Sequence, residues 1–254
     1  MTLHNKLKFI LLFFILTVFI SYTAYAEQII VPVNHFPPWK IIDTNNNISG
    51  INIALTKRLL EKASVTPTFV SRPWKRCQLM MEKGTADIMN GLLKSSDREK
   101  YMIFLDPPYK TNSTKAFYTR KGESTKIRTY YDLANKTIGT VLGSKYFPKF
   151  DADKNLKKEI VTNTHTNIKK LTFGRIDTFI GTTTVTDYLI AHDGLEDKIT
   201  KSEYIYSEPI PVYFAVSKKS PLANRIPELS AALKKMVESG EVDRIINEFT
   251  HKTN

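Results

Sequence analysis

From residue 28 onward, two hydrophobic rhythms alternate along the chain. Short β-branched and apolar runs predict strands at residues 28–33, 66–70 and 86–93. Between them, Ile51, Leu55, Leu59, Leu60 and Ala63 recur at helical spacing after Ser49 and Gly50, and residues 74–83 predict a second helix. Pro37-Pro38 marks a turn and Asn45-Asn46-Asn47 a loop tip. Strand–helix–strand alternation implies parallel pairing, with helices covering the sheet. Ligands in such sheets bind beyond the carboxyl ends of the strands, which is where Phe36, Gly91 and Arg98 fall.

The same alternation then repeats. Residues 113–118 form an extended run, residues 131–133 open a short helix, and residues 137–142 read as a strand turning at Gly143-Ser144. Strand signals at 159–162 and 176–180 alternate with helical ones at 167–173 and 185–192. Residues 212–216 are again extended, and an amphipathic segment over 229–249, interrupted near Gly240, closes the chain. The pattern is that of an α/β protein in two units, without short repeats or low-complexity segments.

The first 26 residues belong to neither unit. Lys6 and Lys8 precede an apolar run from 9 to 20, and Ala24-Tyr25-Ala26 is a small-x-small site, so the reading is a secretory signal peptide cleaved after Ala26. The run is too short to span a bilayer comfortably, and no cysteine near the site suggests lipoprotein processing. Removing 26 of 254 residues leaves 228, enough for a substantial core, and takes the formal charge from +12 to +10. The expectation is an exported, periplasmic protein without a membrane span. The spread of lysines suits anionic ligands or envelope surfaces, and no motif points to nucleic acid. Cys77 is the single cysteine, so no intrachain disulfide forms, and it reads as a buried small hydrophobe. The histidines show no zinc-ligand spacing, and no metal or cofactor is expected.

The candidate chemistry centres on residues 90–109, NGLLKSSDREKYMIFLDPPY. Arg98, just beyond a strand end beside Ser95, Ser96 and Asp97, can aim a planar fork of donors at a carboxylate or phosphate. The alternative is a solvated arginine in a serine-capped helical turn. Ser144 lacks a nucleophile-elbow context, and Asp106 before two prolines reads as a turn residue.

Several segments in fixed order resemble the periplasmic solute-binding proteins that include polar amino-acid receptors of ABC importers. They are FPPW at 36–39, SGINIAL at 49–55, GTADIMNGL at 84–92, SSDR followed by FLDPPY, GRID at 174–177 and AVSKKSPL at 215–222. The resemblance implies a two-lobed α/β protein, each lobe a mainly parallel sheet flanked by helices, with extended crossovers near 115–119 and 213–217 acting as a hinge. Lobe 1 would comprise residues 27–115 and 214–254, and lobe 2 residues 116–213. It further implies that Arg98, with Ser95, binds a ligand carboxylate; that Phe36, Trp74 and Gly91 line the cleft; and that Gly143 and Ser144 present backbone N–H groups and a hydroxyl to an anion. Members binding α-amino acids commonly place an aspartate for the ammonium group where this chain has Thr182, with Asp187 five residues later. That departure turns the expectation from an ordinary amino acid toward an anionic or aromatic carboxylate. Arg72 and Arg76 either add positive charge to the cleft or form a solvated helix face.

The expected function is a monomeric periplasmic binding protein that closes on a small carboxylate-bearing solute, amino-acid-like or another organic anion, for ABC-type uptake through a permease. Alternatives are an orphan sensory receptor, attachment to an envelope partner through the basic surface, and an enzyme on the same scaffold resembling cyclohexadienyl dehydratases. The last needs an acid or base facing the ligand.

Overall fold

The computed structural model describes residues 28–251; the expected signal peptide lies outside them. Strand β1 (Ile29–Val33) leads through the short pair β2 (Ile41–Ile42) and β3 (Ile48–Ser49) into helix α1 (Ile51–Lys62), and β4 (Pro67–Ser71) returns parallel to β1. Helix α1 forms because its apolar residues share one face: Ile51, Leu55, Leu59 and Leu60 are completely buried. Helix α2 (Trp74–Lys83) precedes β5 (Ile88–Leu92), which ends in the one-turn helix α3 (Ser96–Glu99) and β6 (Met102–Phe104).

Asp87 ties β5 to β1. Its carboxylate accepts the Ile30 N–H at 2.7 Å, and its own N–H donates to the Ile30 carbonyl at 2.9 Å. The Ser220 hydroxyl donates to the other carboxylate oxygen at 2.7 Å. This explains the aspartate in the GTADI segment as a structural clip.

The second sheet begins at β7 (Lys115–Arg120) and continues with β8 (Thr137–Val141), the short helix α4 (Pro148–Ala152), β9 (Lys157–Val161), α5 (Thr164–Thr172), β10 (Thr178–Thr182), α6 (Thr183–His192) and β11 (Ile199–Tyr206). Its strand order is β11-β7-β10-β8-β9. The β8–β9 and β8–β10 pairs are parallel, as the alternation predicts, while β7 runs antiparallel to both β10 and β11. Asp177 repeats the device of Asp87: its carboxylate accepts the Thr137 N–H at 2.7 Å, and its N–H donates to the Thr137 carbonyl at 3.0 Å. Phe117, Phe147 and Phe150 build a separate aromatic core under this sheet.

The chain then returns. Strand β12 (Tyr213–Ser217) inserts antiparallel between β5 and β6 in the first lobe, and helices α7 (Ile226–Glu238) and α8 (Glu241–His251) pack against α1. Each lobe is therefore α/β with parallel pairs plus antiparallel strands supplied by the crossing segments. The segments that the resemblance implies as crossovers, 115–119 and 213–217, fall on β7 and β12, which pair within different sheets. Ahead of both strands, Lys110 and Val212 form an isolated antiparallel bridge. Strand β11 has no counterpart in the hydrophobic pattern: Lys201 and Glu203 interrupt its alternation, and only Ile199 and Ser202 are buried.

Candidate functional site

A cleft of about 620 Å³ is lined by residues of both lobes. One of its walls is the turn after β1. Backbone bonds between Phe36 and Lys40, at 2.7 and 3.0 Å, fold this turn so that Phe36, Trp39 and Lys40 all reach the cavity. The turn is held by the start of α1, where the Asn52 N–H donates to the Trp39 carbonyl at 2.8 Å. Gly50 permits that approach, because it has φ 111° and a Cβ there would lie 2.7 Å from the Trp39 oxygen. The glycine of the SGINIAL segment thus positions the site from outside it.

Arg98 projects from α3. Its side chain is only 3% exposed yet lines the cavity; it donates to the Leu93 carbonyl at 2.6 Å and the Gly143 carbonyl at 3.1 Å, and lies 5.6 Å from the Trp74 ring centre. Burial lowers its pKa to about 10, which leaves it charged at neutral pH. Ser95 is not among the cavity-lining residues, but its buried Oγ has no hydrogen-bond partner among the described residues.

Across the cleft, residues 143–144 do something other than expected. The Gly143 carbonyl faces the first lobe and accepts three donors: Trp74 Nε1 at 3.2 Å, Gln78 Nε2 at 2.9 Å and Arg98. The Ser144 N–H is spent on the Val141 carbonyl at 3.0 Å, and the next helix starts only at Pro148. This turn presents a carbonyl where an N–H cradle was expected, and of the two residues Ser144 lines the cavity. Trp39 Nε1 adds another link between lobes, donating to Thr184 Oγ1 at 3.1 Å.

Of the remaining predicted residues, Phe36, Arg72, Trp74, Gly91 and Thr182 line the cleft, whereas Arg76 is exposed outside it. Asp187 accepts from the Tyr118 hydroxyl at 2.7 Å and Lys201 Nζ at 2.6 Å, and does not line the cavity. Cys77 is buried, and burial raises its thiol pKa to about 11, in keeping with a packing role. No cluster of three or more metal-binding side chains occurs among the described residues.

Sequence reasoning passed over three lysines. Lys40, only 3% exposed, donates to Asn34 Oδ1 at 2.8 Å and sits 5.1 Å from the Trp74 ring centre; burial lowers its pKa to about 8. Lys110 lies 4.5 Å from the Trp39 ring centre. Lys115, at the start of β7, donates to Ser113 Oγ at 2.7 Å and Thr182 Oγ1 at 2.8 Å, and burial lowers its pKa to about 7. A lysine adjoining an aromatic motif, as Lys40 adjoins FPPW, was the available signal. In total six lysine and arginine side chains line the cleft, and no aspartate or glutamate does. None of Lys40, Arg98, Lys110 and Lys115 joins an ion pair among the described residues.

The family model of the bacterial extracellular solute-binding proteins, family 3, matches residues 29–252. The chain belongs to that family. Among its relatives, the arginine-binding periplasmic protein of Mannheimia haemolytica is 25% identical over 236 residues, covering 89% of this chain and 92% of that protein. ABC transporter arginine-binding protein 1 of Escherichia coli is 27% identical over 180 residues, covering 66% and 70%. An ancestral arginine-binding protein solved with arginine superimposes with a TM-score of 0.75 at 23% identity, over 87% of this chain and 97% of that one. This likeness establishes the two-lobed fold of the family. No helix among the described residues is long and apolar enough to cross a membrane.

Proposed function

We propose that this solute-binding protein is a periplasmic receptor that closes its lobes, divided near residues 115 and 213, on a small organic anion and delivers it to an ABC-type permease. Arg98 takes the ligand's carboxylate, while Phe36, Trp39 and Trp74 enclose its body. The observation that carries this reading is the charge of the cleft: six cationic side chains line it and no carboxylate does. Arg98, Lys40 and Lys115 are nearly inaccessible, so solvent compensates their charges poorly.

Arginine is the competing ligand, because the relatives above are named for it. A second cation brought among these side chains would meet no carboxylate in the cavity lining, and Asp187, the nearest candidate to receive it by sequence position, already holds Lys201. The relatives are named as binding proteins, which favours binding over turnover. Export after cleavage at Ala26 belongs to the same reading and is checked by N-terminal sequencing of the mature protein.

Calorimetry of the purified protein against a panel of organic acids and amino acids tests the proposal. An organic acid should bind, and Arg98→Ala should weaken it by about 1.5–3 kcal/mol, the range for a hydrogen bond to a charged group. Tighter binding of arginine than of every acid, or unchanged affinity in Arg98→Ala, would overturn it.

A further inference from the structure

A second basic pole lies in the cleft, and a single carboxylate at Arg98 leaves it unused. Lys115 is buried on β7, yet it lines the cavity, and among the described residues its ammonium donates to two neutral hydroxyls, those of Ser113 and Thr182. An ammonium has three donors, so one remains for a ligand. Lys110 is the cation whose charge acts on it, and that lysine too has its pKa lowered by burial. The acid whose charge reaches Lys115 is Asp151, which accepts the Tyr146 N–H at 2.9 Å and lines no part of the cavity.

Arg98 and Lys40 occupy a different wall. They share the Trp74 ring, at 5.6 and 5.1 Å from its centre, on elements of the first lobe. Lys115 instead stands on the central region of the second sheet, paired across strands with Thr182, and Lys110 lies at the passage between sheets over Trp39. The rings of Trp74, beside Arg98 and Lys40, and of Trp39, beside Lys110, line the same cavity, whose volume of about 620 Å³ accommodates more than a simple monoacid.

Resting on the anionic reading above, we infer that the ligand is a dianion: one carboxylate at Arg98 and Lys40, and a second anionic group, carboxylate or phosphate, at Lys110 and Lys115, with an apolar or aromatic body between them. Leaving a buried ammonium without an opposite charge is unfavourable, and a second anion removes that cost in the bound state.

The test compares matched acids by calorimetry at pH 6: hexanoate with adipate, benzoate with terephthalate, and phenyl phosphate with 4-carboxyphenyl phosphate. In at least one pair the doubly functional acid should bind about ten- to a hundred-fold more tightly. The pair that responds also distinguishes dicarboxylate from phosphate-bearing ligands. Lys115→Met should erase that advantage, bringing the doubly functional acid to within about threefold of its monofunctional partner measured in the same variant, and Lys110→Met, at a less buried position, should reduce it independently. Equal binding within every pair, or an advantage that survives both lysine substitutions, overturns the dianion inference but leaves the anionic receptor standing. Binding of arginine with no acid bound overturns both.

Discussion

Thr182 and Lys115 show how a site can be misread one residue at a time. By sequence position, Thr182 stands where an acceptor for a ligand ammonium was expected; in the structure it seats the ammonium of Lys115 at 2.8 Å. The charge this region offers a ligand is positive. Burial also makes Lys115 and Lys40 titrate far below the ordinary lysine range, at about 7 and about 8. In the ligand-free protein the folded state then releases protons that the unfolded chain keeps up to about pH 10. Unfolding takes up protons in that window, so stability rises with pH from about 7 to 9.5 and is lost as pH falls back through 8 and 7, with a slope of up to about 1.4 kcal/mol per pH unit for each lysine. Urea unfolding over that range should show the rise, and Lys115→Met or Lys40→Met should flatten it. Above about pH 10 the trend should reverse, because burial holds the Tyr109 and Tyr146 hydroxyls protonated in the folded state. Affinity for the bound anion should move the opposite way, weakening as Lys115 loses its proton, which calorimetry at pH 6 and pH 8.5 would reveal.

At the scale of elements, the turn 36–40 and the start of α1 act as one unit. The turn depends on Gly50 for the approach of its carbonyls, and a side chain at Gly50 would meet both an unfavourable φ and the Trp39 and Pro38 oxygens. Gly50→Ala should therefore lower stability by roughly 1–3 kcal/mol and weaken ligand binding through displaced Phe36, Trp39 and Lys40, measured by thermal unfolding and calorimetry. Asp87 and Asp177 play matching roles in the two sheets, each tying the start of a strand to a neighbour. Asp87→Ala leaves the buried Ser220 hydroxyl and the Ile30 N–H without their acceptors, and should cost about 2–4 kcal/mol on the range for lost buried partners. The hydrophobic rhythm made β1, α1, α2, β5, β8 and β10 legible, since each buries a continuous apolar face. It left β11 unread because that strand sits at a sheet edge with polar residues in its middle, where burial places little demand on composition.

For the molecule as a whole, the hydrogen bonds at the Gly143 carbonyl and between Trp39 and Thr184 link the lobes, beside the Lys145–Asp97 ion pair at 3.7 Å and the His35–His165 ring contact. Trp74, Gln78 and Arg98 all donate to that carbonyl, so two side chains that line the cleft, Trp74 and Arg98, also link the lobes. Gln78→Leu removes one donor from outside the cavity lining, at about 1 kcal/mol, a roughly fivefold shift toward the open form. Small-angle scattering of the ligand-free variant should show a larger radius of gyration than the unsubstituted protein, with closure restored at saturating ligand.

The sequence by itself determined the two-unit α/β organisation, the Arg98 turn and the aromatic residues at strand ends, because apolar periodicity and turn chemistry are local and repeat within a few residues. It could not determine which charges share a cavity. Lys40 lies 58 residues before Arg98 and 75 before Lys115, on different elements, and in the sequence the two lysines read as ordinary solvated cations until the fold brings them to one cavity. Their common environment, and with it the sign of the cleft, depends on desolvation and on the absence of a carboxylate from the cavity lining. Both are properties of where the lobes meet, and only the tertiary structure decided them.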